Sequence, residues 1–75
     1  MEQTVKLIMS QILGIEPDMI VDDTSPKNIS EWDSLKHMEL IMALEEEFQI
    51  EFSDEKIDQI TSYKAIILAL KELIM

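Results

Sequence analysis

Cysteine is absent from this 75-residue chain. Its absence excludes a disulfide, a thiolate metal site and a thiol nucleophile of the chain's own. Folding is only marginally favourable at this length, so stability has to come from packing the 47% of residues that are apolar. No run approaches the ~18 apolar residues that a membrane span needs, and no secretory signal pattern follows Met1. We therefore expect a soluble cytoplasmic protein that does not insert into a membrane.

Arginine is also absent, and the charge is strongly of one sign. Six lysines face sixteen carboxylates, which gives a formal net charge of −10. Ten of the carboxylates and only two of the lysines lie between residues 31 and 58. Such a surface repels nucleic acid and attracts basic protein surfaces. The sequence therefore predicts no nucleic-acid partner and a protein partner that is basic opposite this segment.

Glycine occurs once and proline twice, and β-branched residues do not alternate with polar ones, so strands find little support. Helical spacing is clear instead. A first helix is predicted to end near Leu13-Gly14, where glycine can adopt the left-handed conformation of a cap. Its apolar stripe, at positions i, i+3, i+4 and i+7, consists of Val5, Ile8, Met9 and Ile12.

The segment from Ile15 to Trp32 carries both prolines and several Asp, Asn, Ser and Thr residues, which predicts a long loop. It keeps isolated apolar residues at Ile15, Ile20 and Ile29, and we expect these to dock the loop against the helices.

A second helix is predicted from Ser34 to Phe48, with Asp33 as its N-cap and mostly strong helix formers after it. A short third helix is expected to start at Ser53-Asp54-Glu55 and to face inward at Ile57 and Ile60.

Thr61 or Ser62 is expected to cap a fourth helix. Its apolar stripe consists of Ile66, Ala69, Leu70 and Leu73. The predicted fold is all-α, a small four-helix bundle of three main helices and one short one, with the long loop between the first two. We expect residues 1–75 to form a single domain.

The second helix has two apolar stripes. The first is an ordinary core stripe made of Leu40, Ile41, Leu44 and Phe48. Leu35, Met38 and Met42 form the other, roughly on the opposite side at about 100° per residue. Either this second stripe is an exposed docking surface rimmed by carboxylates, or it is a satellite core under the long loop.

Asp33-Ser34-Leu35, followed by Glu39-Leu40 and the run from Met42 to Phe48, resembles the signature of acyl carrier proteins. The likeness covers nearly the whole chain, because Val5 to Ile15 is similar to the first helix of that family. Residues 54–70 are similar to its last two helices. Asp-Ser-Leu alone would be a weak motif, and its place within this length, charge and helix pattern makes it strong.

The resemblance implies that Ser34, between Asp33 and Leu35, is esterified with 4′-phosphopantetheine by a phosphopantetheinyl transferase acting on coenzyme A. The arm's thiol would hold acyl groups as thioesters, which gives a protein without cysteine a borrowed thiol. The family is not catalytic, and its aliphatic interior can open to shelter a chain. The positions matching its contacts with the basic patches of acyl-loading, condensing and acyl-transfer enzymes are Leu35, Met38, Glu39, Met42, Glu45 and Glu46.

Three residues depart from the commonest fatty-acid carriers of the family. Trp32 replaces a small residue, Lys36 replaces an acidic one, and His37 follows it. The departures favour a carrier dedicated to a specialised pathway over one of primary fatty acid synthesis. We expect Trp32 to anchor the loop against the bundle. We expect His37 to be a packing or surface residue, because no nucleophile partner for a catalytic base can be named.

A small, acidic, helical chain also suits functions other than that of a carrier. A calcium loop starting at Asp22 would need glycine at its sixth position, where Lys27 stands. An enzyme would need a nucleophile paired with a base, a metal cluster or a phosphate loop, and the sequence shows none of these patterns. A plain interaction module with an unmodifiable Ser34 stays open, as does an aminoacyl or peptidyl carrier, although the usual glycines before the serine are missing. The start at Met1 and the full final helix favour a free-standing carrier over a piece of a synthase, and we expect a monomer.

Overall fold

The computed structural model describes residues 1–74, and all of its regular structure within that range is helical. The elements are α1 (Glu2–Leu13), α2 (Ser34–Phe48), α3 (Asp54–Gln59) and α4 (Tyr63–Ile74), with one turn of 3₁₀ helix at Pro17–Met19 in the loop after α1. The predicted all-α bundle with one short helix and a long first loop is confirmed.

The helix boundaries follow local signals in the sequence. Gly14 ends α1 in the left-handed conformation, with φ 70°, and its N–H donates to the carbonyl of Ser10. Ser53 caps α3, because its hydroxyl accepts from the N–H of Lys56. Of the two residues expected to cap α4, Ser62 is the one whose hydroxyl accepts, from the N–H of Ala65 at 3.1 Å. Gln49 ends α2 with a φ of 56°, a left-handed conformation that glycine adopts more readily than residues with a side chain.

The core lies between α1, α2 and α4, and the loops close it. The predicted stripes of α1 and α2 face it, with Phe48, Ile8 and Ile12 half-buried at its margin. The most deeply buried aliphatic side chains of these helices are Val5, Met9, Leu40, Ile41, Leu44, Ile66 and Leu70. Burying a Val, Leu, Ile or Met side chain contributes roughly 1.5–3 kcal/mol relative to leaving it exposed, so this cluster stabilises the bundle.

The predicted stripe of α4 is wrong at one position. Ile66, Ala69 and Leu70 are buried, but Leu73 is 48% exposed. The core of α4 ends at Leu70, and the last turn extends past the residues against which Leu73 would pack. Ile67, which the stripe did not include, is buried instead.

The loop from residue 15 to 33 is docked, as the sequence predicts. Ile20 is buried, while Ile15 and Ile29 are half-buried and pack against the core. Buried Thr24 ties the loop to α4: its hydroxyl accepts from the N–H of Val21 at 2.8 Å, and its carbonyl accepts from the N–H of Tyr63 at 2.9 Å. The loop therefore has a fixed path to the start of α2.

Among residues 1–74, no helix is long and apolar enough to cross a membrane.

Candidate functional site

Asp33, Ser34 and Leu35 lie where the loop turns into α2. Asp33 is extended and caps the helix, because its carboxylate accepts from the N–H of Lys36 at 2.8 Å. Its carbonyl accepts from the N–H of His37, also at 2.8 Å. Ser34 is the first residue of α2 and is exposed. The capping bond uses the Asp33 side chain, so the Ser34 hydroxyl is not needed to stabilise the helix start.

The electrostatic field at this helix start favours an anion. The first N–H groups of a helix have no intrahelical acceptors, and the helix dipole places partial positive charge there. The first turn of α2 contains no acidic side chain, and Lys36 adds a positive one. The Lys36 ammonium lies 3.6 Å from the Glu39 carboxylate, with both side chains largely in solvent, so this ion pair contributes little to stability. A phosphodiester on Ser34 would be stabilised here.

A groove of about 360 Å³ opens beside Ser34. Its walls come from the loop, from the first turns of α2, and from the end of α3 and the residues after it. The lining residues are Pro26, Trp32, Asp33, Ser34, His37, Met38, Ile57, Asp58 and Thr61. The groove thus places apolar walls within reach of any group that Ser34 carries.

Trp32 and His37 form one wall of this groove. Trp32 is 2% exposed, which confirms it as the anchor of the loop. Its Nε1–H donates to Nδ1 of His37 at 3.0 Å, and Nε2 of His37 lies 2.8 Å from the carbonyl oxygen of Ile57 in α3. The two rings are stacked, with centroids 5.9 Å apart. His37 is a half-buried packing residue, and no local sequence pattern indicates its contact with Ile57.

The second stripe of α2 faces solvent. Leu35 is 69% exposed, Met42 64% and Met38 46%, so these residues do not form a satellite core under the loop. Glu39 and Glu46 are exposed beside them. α2 therefore presents an apolar strip with carboxylates at its margins.

Glu45 differs from the other two acidic residues predicted on this surface. It is half-buried, and its Oε2 accepts from the backbone N–H of Phe52 at 2.8 Å. This bond fixes the segment that leads from α2 to α3. Glu45 therefore has a structural contact in addition to its position beside the strip.

Ionisable side chains away from the groove include no metal cluster in the described residues and one buried tyrosine. No cluster of three or more His, Asp or Glu side chains suited to a metal is found within residues 1–74. Tyr63 is buried at the start of α4, and its hydroxyl donates to the Glu2 carboxylate at 3.3 Å. Burial, together with the nearby charge of Glu2 and this bond, raises the pKa of Tyr63 to about 12.

Comparison with known proteins finds similar chains. Residues 3–70, which run from α1 into α4, match the family model described as a phosphopantetheine attachment site. The structure is similar to that of a proposed acyl carrier protein from Mycobacterium tuberculosis, with a TM-score of 0.84, 24% identity and 93% of each chain covered. It is also similar to an acyl carrier protein from Enterococcus faecalis, with a TM-score of 0.73, 35% identity, and 88% of this chain and 84% of that chain covered.

Proposed function

We propose that Ser34 is the residue that carries the phosphopantetheine arm of this chain. The chain belongs to the phosphopantetheine attachment family of acyl carrier proteins. The family is a non-catalytic carrier fold whose covalent cofactor is 4′-phosphopantetheine. One observation carries the choice of residue: Ser34 is the exposed first residue of α2, while the neighbouring Asp33 carboxylate does the capping. The hydroxyl is therefore both accessible and dispensable to the fold.

The residues around Ser34 fit a phosphodiester. The N-terminus of a fifteen-residue helix favours negative charge, and Lys36 lies in the same turn. Asp33 fixes the position of the hydroxyl by capping α2, and Leu35 follows Ser34 as an exposed residue of the first turn. These residues would hold the arm's phosphate end at the mouth of the groove.

Attachment is a phosphoryl transfer that a partner enzyme catalyses. The Ser34 oxygen attacks the β-phosphate of coenzyme A and forms a phosphodiester. The bond to the adenosine bisphosphate portion breaks, that portion leaves, and the serine proton passes to a base of the transferase or to solvent. The carrier supplies only a reachable hydroxyl on an ordered helix start, which Ser34 provides. When bound, the arm supplies the thiol on which acyl groups are carried as thioesters.

We further propose that the strip on α2 is the surface that meets the transferase and the acyl-loading, condensing and acyl-transfer enzymes. The residues of this docking strip are Leu35, Met38, Glu39, Met42, Glu45 and Glu46. Exposed apolar side chains flanked by carboxylates suit a partner with a basic rim and an apolar centre. Each exposed ion pair is worth roughly 0 to 1 kcal/mol, so association would be fast and reversible, as a shuttle requires.

We also propose a class of biosynthetic pathway and a cellular compartment for the carrier. Trp32, Lys36 and His37 form part of the site itself, as groove wall and first helical turn. Their departure from common fatty-acid carriers supports a carrier of a specialised fatty acid, polyketide or related pathway. We also propose that residues 1–75 form one acyl-carrier domain, which is monomeric and acts in the cytoplasm.

A serine-specific loading experiment tests the function. The wild-type chain, Ser34→Ala and Ser30→Ala are each incubated with acyl-coenzyme A, magnesium and a broad-specificity phosphopantetheinyl transferase. Wild type and Ser30→Ala are expected to gain one acyl-phosphopantetheinyl group, and hydroxylamine is expected to remove the acyl part because it is a thioester. Ser34→Ala is expected to gain nothing and to keep its helical circular dichroism.

The Ser30→Ala control shows whether loading depends on Ser34 in particular, and the result for wild type distinguishes a carrier from an interaction module without an arm. Ser30 is an exposed serine of the loop four residues before Ser34, so it reports whether any accessible hydroxyl is accepted. Loading of Ser34→Ala would refute the assignment. Failure of wild type to load, beside a known carrier that loads in parallel, would favour an interaction module that uses the docking strip without an arm.

A further inference from the structure

The bridge from Trp32 to Ile57 through His37 specifies where the imidazole proton lies. An indole N–H is only a donor, so Nδ1 of His37, 3.0 Å away, must be the unprotonated acceptor. A backbone carbonyl is only an acceptor, so Nε2, 2.8 Å from the Ile57 oxygen, must carry the hydrogen. Both bonds form together only in the neutral imidazole with its proton on Nε2.

Each end of the bridge holds an element beside Ser34. Ile57 lies in the last turn of α3, where helix carbonyls lack intrahelical donors, so His37 satisfies one of them. α3 has only six residues and depends on tertiary contacts for its stability. Trp32 comes immediately before Asp33, the N-cap of α2. The bridge therefore joins α3 and the end of the loop to the first two turns of α2.

We propose that His37 is a positioning residue that fastens the end of the loop to α2 only while its imidazole is neutral, so that acid releases the groove wall beside Ser34. A second proton has to go to Nδ1, because Nε2 already carries one. Nδ1–H and the indole N–H would then be two donors facing each other. The Trp32 bond breaks, whereas Nε2–H can still donate to Ile57. The release is thus confined to the Trp32 end.

The charged groups nearest to His37 come from α2 and α3. Two carboxylates line the same groove: Asp33 from the start of α2 and Asp58 from α3. On α2, Lys36 precedes His37 and is paired with Glu39.

Lys56, the one basic residue of α3, forms an ion pair outside the groove. Lys56 lies 3.5 Å from the Glu72 carboxylate of α4. The loop side of the groove contributes Pro26 and Trp32, which carry no charge. Besides His37, the ionisable side chains that line the groove are therefore the two carboxylates of Asp33 and Asp58.

Release of Trp32 would loosen the chain directly before Asp33 and Ser34. The consequence for arm attachment rests on the proposed function of Ser34, but the release itself does not. We expect acid to slow attachment, because the transferase would meet a hydroxyl on a frayed helix start. The structural step and its functional effect can therefore be measured separately.

The structural step is tested on the 75-residue chain without its arm, by nuclear magnetic resonance between roughly pH 5 and 8, the range in which histidine changes charge. The probe is solvent exchange of the indole N–H of Trp32, the single tryptophan. The ring C–H signals of His37, the single histidine, report protonation in the same samples. His37→Gln keeps one donor and one acceptor but cannot titrate, and His37→Phe keeps a ring without either.

Because exchange of an indole N–H is itself catalysed by hydroxide, the rate at each pH is divided by that of a free tryptophan indole at the same pH. In wild type, this normalised exchange is expected to become about tenfold faster as His37 takes up its proton, the factor expected for one lost hydrogen bond. In His37→Gln the normalised exchange is expected to stay slow throughout, and in His37→Phe to be fast throughout. The inference is overturned if exchange stays slow while His37 titrates, or if His37 does not titrate before the fold melts. It is also overturned if His37→Gln shows the same acid response as wild type, which would assign the response to carboxylates.

The functional effect is measured as the ratio of the loading rates of wild type and His37→Gln at each pH, which cancels the transferase's own pH dependence. The ratio is expected to be constant near neutral pH and to fall as His37 titrates. A constant ratio beside an acid-released indole would overturn the effect on attachment. Absence of loading in both proteins would count against Ser34 as the attachment residue and leave the exchange result standing.

Discussion

Asp33 and Lys36 are joined across the start of α2 by a 2.8 Å hydrogen bond from the Lys36 N–H to the Asp33 carboxylate, and Ser34 lies between them as an exposed residue. The aspartate and serine of the motif therefore have separate roles. One stabilises the helix, and the other is left available for modification.

Replacing the cap is expected to cost stability. Asp33→Ala should lower the free energy of unfolding by about 1 kcal/mol, because the first-turn N–H loses its acceptor. For a domain of this size that corresponds to a drop in Tm of roughly 4–8 °C. Asp33→Asn, which can still cap, is the matched control and should stay close to wild type in urea or thermal unfolding. Equal losses in both variants would contradict the capping role.

Met42 and Leu40 are two residues apart on α2 and are expected to respond oppositely. Met42→Glu should leave Tm nearly unchanged, because the side chain is 64% exposed, but weaken binding to a partner enzyme in a titration. Leu40→Ala should cost roughly 2–5 kcal/mol of unfolding free energy, because that side chain is fully buried. A large loss of stability in Met42→Glu would show that the second stripe packs inside the protein.

Variants of Glu45 and Glu46 are expected to distinguish a loss of stability from a loss of partner binding. Glu45→Ala removes the acceptor of the Phe52 N–H and should lower the unfolding free energy by roughly 1–3 kcal/mol. Glu46→Ala, at an exposed site, should change it by less than ~0.5 kcal/mol. Both variants should bind a basic partner more weakly at low salt, and the difference from wild type should shrink as salt rises. Equal stability of the two variants would contradict the structural contact of Glu45.

Tyr63 is expected to lose its phenolic proton at a higher pH than an ordinary tyrosine does. Its pKa is raised from 10.0 to about 12, so the unfolded chain loses this proton more readily than the folded one. The stability associated with neutral Tyr63 is therefore fully present below pH 10 and is lost as pH rises towards about 12. Near-ultraviolet absorbance of the single phenolate should show this titration.

Glu2→Gln removes the neighbouring charge and should lower the pKa of Tyr63, whereas Glu39→Gln on α2 should leave its titration unchanged. Titration of Tyr63 at its ordinary value in the folded wild type would contradict its burial.

Local signals made α2 and its cap predictable. Asp33 could be assigned as the N-cap and Phe48 as the last residue of the helix, because capping chemistry and apolar spacing depend on neighbours within a turn or two. The docking of the loop was predictable from isolated apolar residues such as Ile20. The exposure of Met42 was open until the structure showed what lay over the second stripe.

Contacts between distant parts of the chain were not predictable. The carbonyl of Ile57 meets His37 from twenty residues away, and no spacing rule relates the two. The bond from Phe52 to Glu45 depends on how the chain leaves α2 at Gln49, whose left-handed conformation has no glycine to signal it. Leu73 fits a helical stripe perfectly well, and its exposure depends on where the core ends.

Attachment of the arm to Ser34 is tested most directly by the intact mass of the apo protein after incubation with coenzyme A, magnesium and a broad-specificity phosphopantetheinyl transferase. We expect a gain of one phosphopantetheinyl group, with fragmentation placing it on Ser34. A gain on any other residue, or no gain beside a control carrier that loads, would contradict it.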